Sequence, residues 1–75
     1  MSQVIAELVK QKRKELNYTQ EELALRSGVG LRFLRELEQG KPSLQLDKVN
    51  QVLFMFGYEI GPVAINRKTL NDESS

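Results

Sequence analysis

Residues 19–40, TQEELALRSGVGLRFLRELEQG, constrain this chain more than any other stretch. Thr19-Gln20-Glu21-Glu22 is a capping box, in which the Thr19 hydroxyl accepts from the Glu22 amide and the Glu22 carboxylate returns to the Thr19 amide, so a helix starts here. It runs through Leu23 and Ala24 to about Ser27. Gly28 then stands where a left-handed backbone ends a helix cheaply. Val29 lies in the turn, and a further helix runs from Gly30 or Leu31 to Gln39, with Leu34 and Leu37 inward and Gly40 as its stop. Two short helices so closely joined must cross at close range, and the small side chain of Ala24 leaves room for that.

The flanks supply two more helices. Over residues 2–16, Ile5, Leu8, Val9 and Leu16 keep roughly helical spacing, and Asn17-Tyr18 breaks the pattern. Lys41-Pro42-Ser43 reads as a loop, because Pro42 disfavours helix at Lys41. Over residues 44–56, Leu46, Val49, Val52, Leu53 and Phe56 recur at spacings of three and four, and Gly57 closes the run. The period then changes. Tyr58 alternates with Ile60, and Val63 with Ile65, around a Gly61-Pro62 break, which predicts a short strand over residues 58–65. Pro62 confines such a strand to an edge or a bulge, and the chain offers it no second strand. The simplest partner is therefore another copy of the same chain. The expected architecture is an all-α domain of four helices over residues 1–57, a dimerisation strand over 58–66 and a flexible tail over 67–75 that is polar apart from Leu70.

Composition narrows the chemistry. The 75 residues include no Cys, so disulfides, thiol nucleophiles and Cys-ligated zinc are ruled out, and the chain suits a reducing cytosol. They include no His either, which removes the usual general base and the commonest metal ligand. Neither an enzyme nor a cofactor or metal site is expected. The longest apolar run, VLFMF, is far short of a membrane span, and the N-terminus lacks a signal-peptide pattern, so a soluble, cytoplasmic protein with no membrane partner is expected. The net charge is only +1. Its distribution is uneven, with Lys10, Lys12, Arg13 and Lys14 in one segment and Arg32, Arg35 and Lys41 in a second. Each cluster fits either a solvated helix face or a nucleic-acid contact.

An α-helix fits the major groove of B-DNA, provided that it stands clear of its own core. A short helix braced across another by a tight turn meets that condition, and Ala24, Gly28 and the Leu34/Leu37 pair supply the small residue, the turn residue and the narrow apolar face it needs. Beyond these local features, residues 4–57 resemble the Cro and phage-repressor class of helix-turn-helix domains, the XRE family. The resemblance is carried by Arg13, then Thr19-Gln20-Glu21-Glu22-Leu23-Ala24, Ser27-Gly28-Val29, Leu37-Glu38-Gln39-Gly40-Lys41-Pro42 and Leu53-Phe54-Met55-Phe56-Gly57, in order and at the family's spacings. Pro42 follows Lys41 directly, and Phe56 replaces a second Leu. That family usually continues with a fifth helix. The strand-like 58–65 segment instead resembles HipB-type antitoxins, small dimeric repressors that bind their own operator and a HipA-like kinase toxin.

The resemblance implies roles for individual residues. It places Arg13 and Glu38 in contact as a structural ion pair, the alternative for Arg13 being a phosphate. It gives Gln20 a phosphate contact, which a helix N-terminus also favours on physical grounds, the alternative being an ordinary solvated residue. Gly30, Leu31, Arg32, Arg35 and Glu36 form the exposed face of the second joined helix and are the candidates for base contacts. Arg32 could bond both acceptors of a guanine or only a phosphate, and Arg35 could serve either. Leu31 could touch a thymine methyl, while Glu36 either accepts from a cytosine amine or pairs with Arg32. Phe33 is expected to pack on the scaffold. Lys41 and Ser43 are candidate phosphate contacts that set register. Phe54 and Met55 fall off the inward stripe and are either extra core or, with Tyr58, Ile60, Val63 and Ile65, a dimer interface. The implied partners are a palindromic double-stranded operator, a second copy of the chain and a HipA-like kinase toxin. The alternatives are a solitary regulator and a module whose main role is binding protein.

Overall fold

The computed structural model describes residues 2–62 and 64. Its helices are α1 (Ser2–Glu15), α2 (Gln20–Ser27), α3 (Leu31–Glu38) and α4 (Leu46–Phe54). α3 packs on both α1 and α2, and α4 packs on α2. The domain is all-α.

Local chemistry sets the helix ends. Lys12, Arg13 and Lys14 fill the last turn of α1, where cations meet the negative pole of the helix. The chain then reverses through Asn17, at φ 59°, with the Asn17 amide donating to the Lys14 carbonyl and the Tyr18 amide to the Arg13 carbonyl, each at 3.0 Å. The same closure recurs three times: Val29 donates to Ala24 (3.1 Å), Lys41 to Glu36 (3.1 Å) and Tyr58 to Leu53 (3.0 Å) across the ends of α2, α3 and α4. At the start of α2 both halves of the capping box form, with Glu22 N–H to Thr19 Oγ1 at 3.0 Å and Thr19 N–H to Glu22 Oε1 at 3.2 Å.

These stops keep each helix short enough to fold back on one core. Val9, Leu23, Ala24, Val29, Leu34, Leu37, Val49, Val52 and Leu53 form that core, with Ile5, Leu8, Phe33 and Phe56 packed against it. Leu34 is fully buried, which stabilises the fold by about 1.5–3 kcal/mol relative to exposure.

Some positions differ from the periodic pattern. α4 starts at Leu46 and ends at Phe54, so it is shorter at both ends than residues 44–56. Gln45 keeps an extended backbone, and residues 55–57 turn out of the helix. Leu16 and Leu46, which share the inward spacing, are exposed, while the small Ala6 is fully buried. Leu16 lies beyond the last turn of α1. Leu46 is the first residue of its helix, where the side chain leans back over the preceding loop rather than onto the core. Residues 58–62 and 64 form no strand within the single chain. Val63, Ile65 and the tail over 67–75 lie outside the described residues. Among the described residues no helix is long and apolar enough to cross a membrane, and no group of three or more Asp or Glu is placed to hold a metal ion.

Candidate nucleic-acid interface

The position of α3 is fixed by a polar clamp at one end and the core at the other. Arg13 of α1 meets Glu38, the last residue of α3, through two hydrogen bonds, Nε to Oε2 at 2.8 Å and Nη2 to Oε1 at 3.0 Å. A third guanidinium nitrogen, Nη1, donates to the Tyr18 carbonyl at 3.0 Å, which ties in the α1–α2 connection. Gln20, the first residue of α2, donates from Nε2 to Glu38 Oε1 at 3.2 Å. Glu38 is 3% exposed, so its buried carboxylate depends on Nε and Nη2 of Arg13 and Nε2 of Gln20, the donors that reach it. Among the described residues no buried side-chain nitrogen or oxygen lacks a partner.

The α2–α3 turn is braced from the other side. Gly28 takes φ +80°, a left-handed value that L side chains rarely adopt. Ser27 folds its hydroxyl back onto the Leu23 carbonyl at 2.7 Å. Its own carbonyl accepts from Gln51 Nε2 of α4 at 3.3 Å. The turn is therefore held by α4 as well as by the helices it joins.

With Leu34, Leu37 and Glu38 buried, the opposite face of α3 is free to meet a partner. Arg32 and Arg35 are exposed there, as is Gly30 at the helix cap, whereas Leu31 and Phe33 are half-buried. Phe33 lies beneath the Lys48 ammonium, 5.9 Å from its ring centroid. No side chain caps the N-terminus of α3, and its first turn carries no acid, so nothing acidic there offsets the positive pole of the helix. The Arg32 side chain is 95% exposed. Glu36 is drawn in more closely. Its carboxylate lies 2.5 Å from Lys41 Nζ and 3.4 Å from Arg32 Nε. The Lys41 hydrogen bond is the main reason its carboxyl is held below the ordinary carboxylate range. Ser43 is exposed in the loop after α3.

A second surface lies on α4 and the segment after it. Phe54 (59% exposed), Met55 and Tyr58 are exposed apolar or aromatic groups. Ile60 is half-buried, and its amide donates to Asn50 Oδ1 at 2.8 Å, which anchors the chain after α4. With Ile5, Leu37, Leu44, Leu46 and Val49, Ile60 lines an apolar cleft of about 280 Å³. Val63 and Ile65 are outside the described residues.

Several supporting side chains have no signal in the sequence. Asn50 and Gln51 belong to no motif, yet each holds a backbone group of another segment. Arg26 lies over the Tyr18 ring at 4.7 Å. Each contact joins residues whose proximity arises only from the packing.

A helix-turn-helix family model matches residues 9–67 of the chain. The uncharacterized HTH-type transcriptional regulator y4mF of Sinorhizobium fredii is 52% identical over 60 residues, covering 80% of this chain and 79% of that protein. No solved structure matches the chain.

Proposed function

The chain belongs to the helix-turn-helix family and is a DNA-binding transcriptional regulator, and from that premise we propose that it acts as a homodimeric repressor on a palindromic operator. The exposed Arg32 and Arg35 on the face of α3 opposite its buried side carry this reading. Gly30, Leu31, Arg32 and Arg35 face the bases in the major groove. Arg32, near the helix start, is the reader of guanine through O6 and N7, a contact worth about 1–3 kcal/mol of discrimination. Gln20, Lys41 and Ser43 contact phosphates and set the register. Gln20 can do so while bound to Glu38, because its amide carries a second N–H.

The exposed Phe54, Met55 and Tyr58, with Ile60, Val63 and Ile65, form the interface with the second copy. Two α3 helices then meet half-sites about one helical turn, roughly 34 Å, apart. The physiological role is that of an autoregulating antitoxin with a HipA-like kinase toxin as partner. The non-helical path of the described residues after α4 supports this, since it departs from a fifth helix as HipB-type sequences do.

Selection of sites from a random duplex pool by the purified protein tests the DNA reading. A two-fold symmetric motif with half-sites about a turn apart is the expected result. No enrichment by folded protein would overturn it. The antitoxin role is tested separately, by growth rescue when the chain is co-expressed with the kinase encoded beside it. An absence of any such neighbouring kinase would leave a solitary regulator.

A further inference from the structure

We propose that Glu36 sets the DNA affinity of the α3 face, acting as an internal counter-anion that holds Lys41 and Arg32 until operator DNA takes its place. The proposal rests on the DNA-binding reading given above. Three charged groups from one short stretch carry it. Glu36 is the central one, 2.5 Å from Lys41 Nζ and 3.4 Å from Arg32 Nε, and its side chain is only 24% exposed. Its two partners are much more open. The carboxylate, like any ordinary Glu, is anionic at neutral pH.

A carboxylate on a surface that meets phosphates repels them, and here it also neutralises the two cations nearest to it. Non-specific binding depends on counterions released from phosphates by Lys and Arg. Cations already engaged by Glu36 contribute little to that release on an arbitrary duplex. A correct site offers Arg32 a guanine edge and Lys41 a phosphate at the same time, and the two together displace the carboxylate. Because these pairs must also be broken at the operator, Glu36 lowers affinity for the operator at least as much as for an arbitrary duplex, and so sets the strength of binding rather than its sequence preference.

The test measures the affinity of the full chain for its selected operator and for a scrambled duplex over a salt series, for wild type, Glu36→Gln, Lys41→Gln and the double variant. A thermal melt of each establishes that it is folded. For Glu36→Gln, affinity for the scrambled duplex should rise several-fold, with the plot of log K against log salt steeper by about one unit. Operator affinity should rise at least as much, and the selected consensus should stay the same. In the Lys41→Gln background the gain from Glu36→Gln should shrink, because one of the released cations is gone.

An equal gain in both backgrounds would overturn the proposal in favour of simple repulsion between Glu36 and phosphate. A consensus altered at one base position would overturn it by making Glu36 a base reader, and an unchanged affinity for the scrambled duplex would overturn it outright. If folded wild-type protein bound no duplex, the DNA-binding reading itself would fall and this proposal with it, a result distinct from the other three.

Discussion

Arg13 and Glu38, on the first and third helices, grip each other through two parallel hydrogen bonds of 2.8 and 3.0 Å. This contact ties the end of α3 to α1. Arg13→Ala would leave the Glu38 carboxylate buried without its main partner, at a cost of about 3–5 kcal/mol. A domain of this size holds only a few kcal/mol in total, so the variant should be largely unfolded. Joint replacement by Met at 13 and Leu at 38 should cost far less, since no charge is stranded. Urea denaturation of the three proteins measures this. A loss below about 1 kcal/mol for Arg13→Ala would mean that the pair is not structural.

Gly28 and Gly30 stand two residues apart and should respond differently to substitution. At Gly28 an added Cβ meets only Gln51 Nε2 at an ordinary 3.5 Å, but the backbone is left-handed at φ +80°. Gly28→Ala should therefore cost about 1–2 kcal/mol. Gly30 has φ −71° and nothing near its missing Cβ. Gly30 is the N-cap of α3, so the lower unfolded-state entropy of Ala is offset by its poorer N-cap propensity, and Gly30→Ala should change stability by less than about 1 kcal/mol. Thermal melts decide both, and equal losses at the two sites would contradict the backbone explanation.

The Glu36 carboxyl is held below its ordinary value of 4.5, first by the Lys41 hydrogen bond. A depressed folded pKa gives stability that is present above the unfolded value and lost as pH falls through the folded one. Between neutral pH and about pH 3, where carboxylates titrate, wild type should lose more stability than Glu36→Gln. Identical acid limbs in a pH series of melts would show that the Lys41 contact is not kept in solution.

Phe54 is 59% exposed in the single chain. If it belongs to the interface between two copies, Phe54→Asp should leave the fold intact and shift the sedimenting species from dimer to monomer, with loss of affinity for a two-half-site operator. An unchanged dimer would remove the α4 surface from the interface.

Helix starts and stops are the most legible part of this sequence. The Thr19–Glu22 box and Gly28 act within four residues or fewer, so their chemistry is complete in the local string. Inward faces are legible except near helix ends. Leu16 and Leu46 keep the period but sit at the margins of α1 and α4, where the period no longer implies contact with the core. Ala6 is the converse, too small to stand out yet buried against its neighbours. The clamp around Glu38 joins residues 25 and 18 positions away, which no periodicity relates. Family resemblance suggested the Arg13 pair, while the Gln20 contact needed the packed helices. Lys41 meets Glu36 only because Gly40 turns the chain back after α3. Contacts between copies belong to no single chain and leave only exposed apolar groups, such as Phe54, as their trace.

The central claim is that Arg32 at the start of α3 reads a base. Site selection with Arg32→Ala beside wild type tests it most directly, with Gln20→Ala as the phosphate-contact comparison. Arg32→Ala should relax one position in each half-site, at a cost of about 1–3 kcal/mol against the preferred base. Gln20→Ala should weaken all sequences alike and leave the consensus intact. An unchanged consensus for Arg32→Ala would contradict the claim.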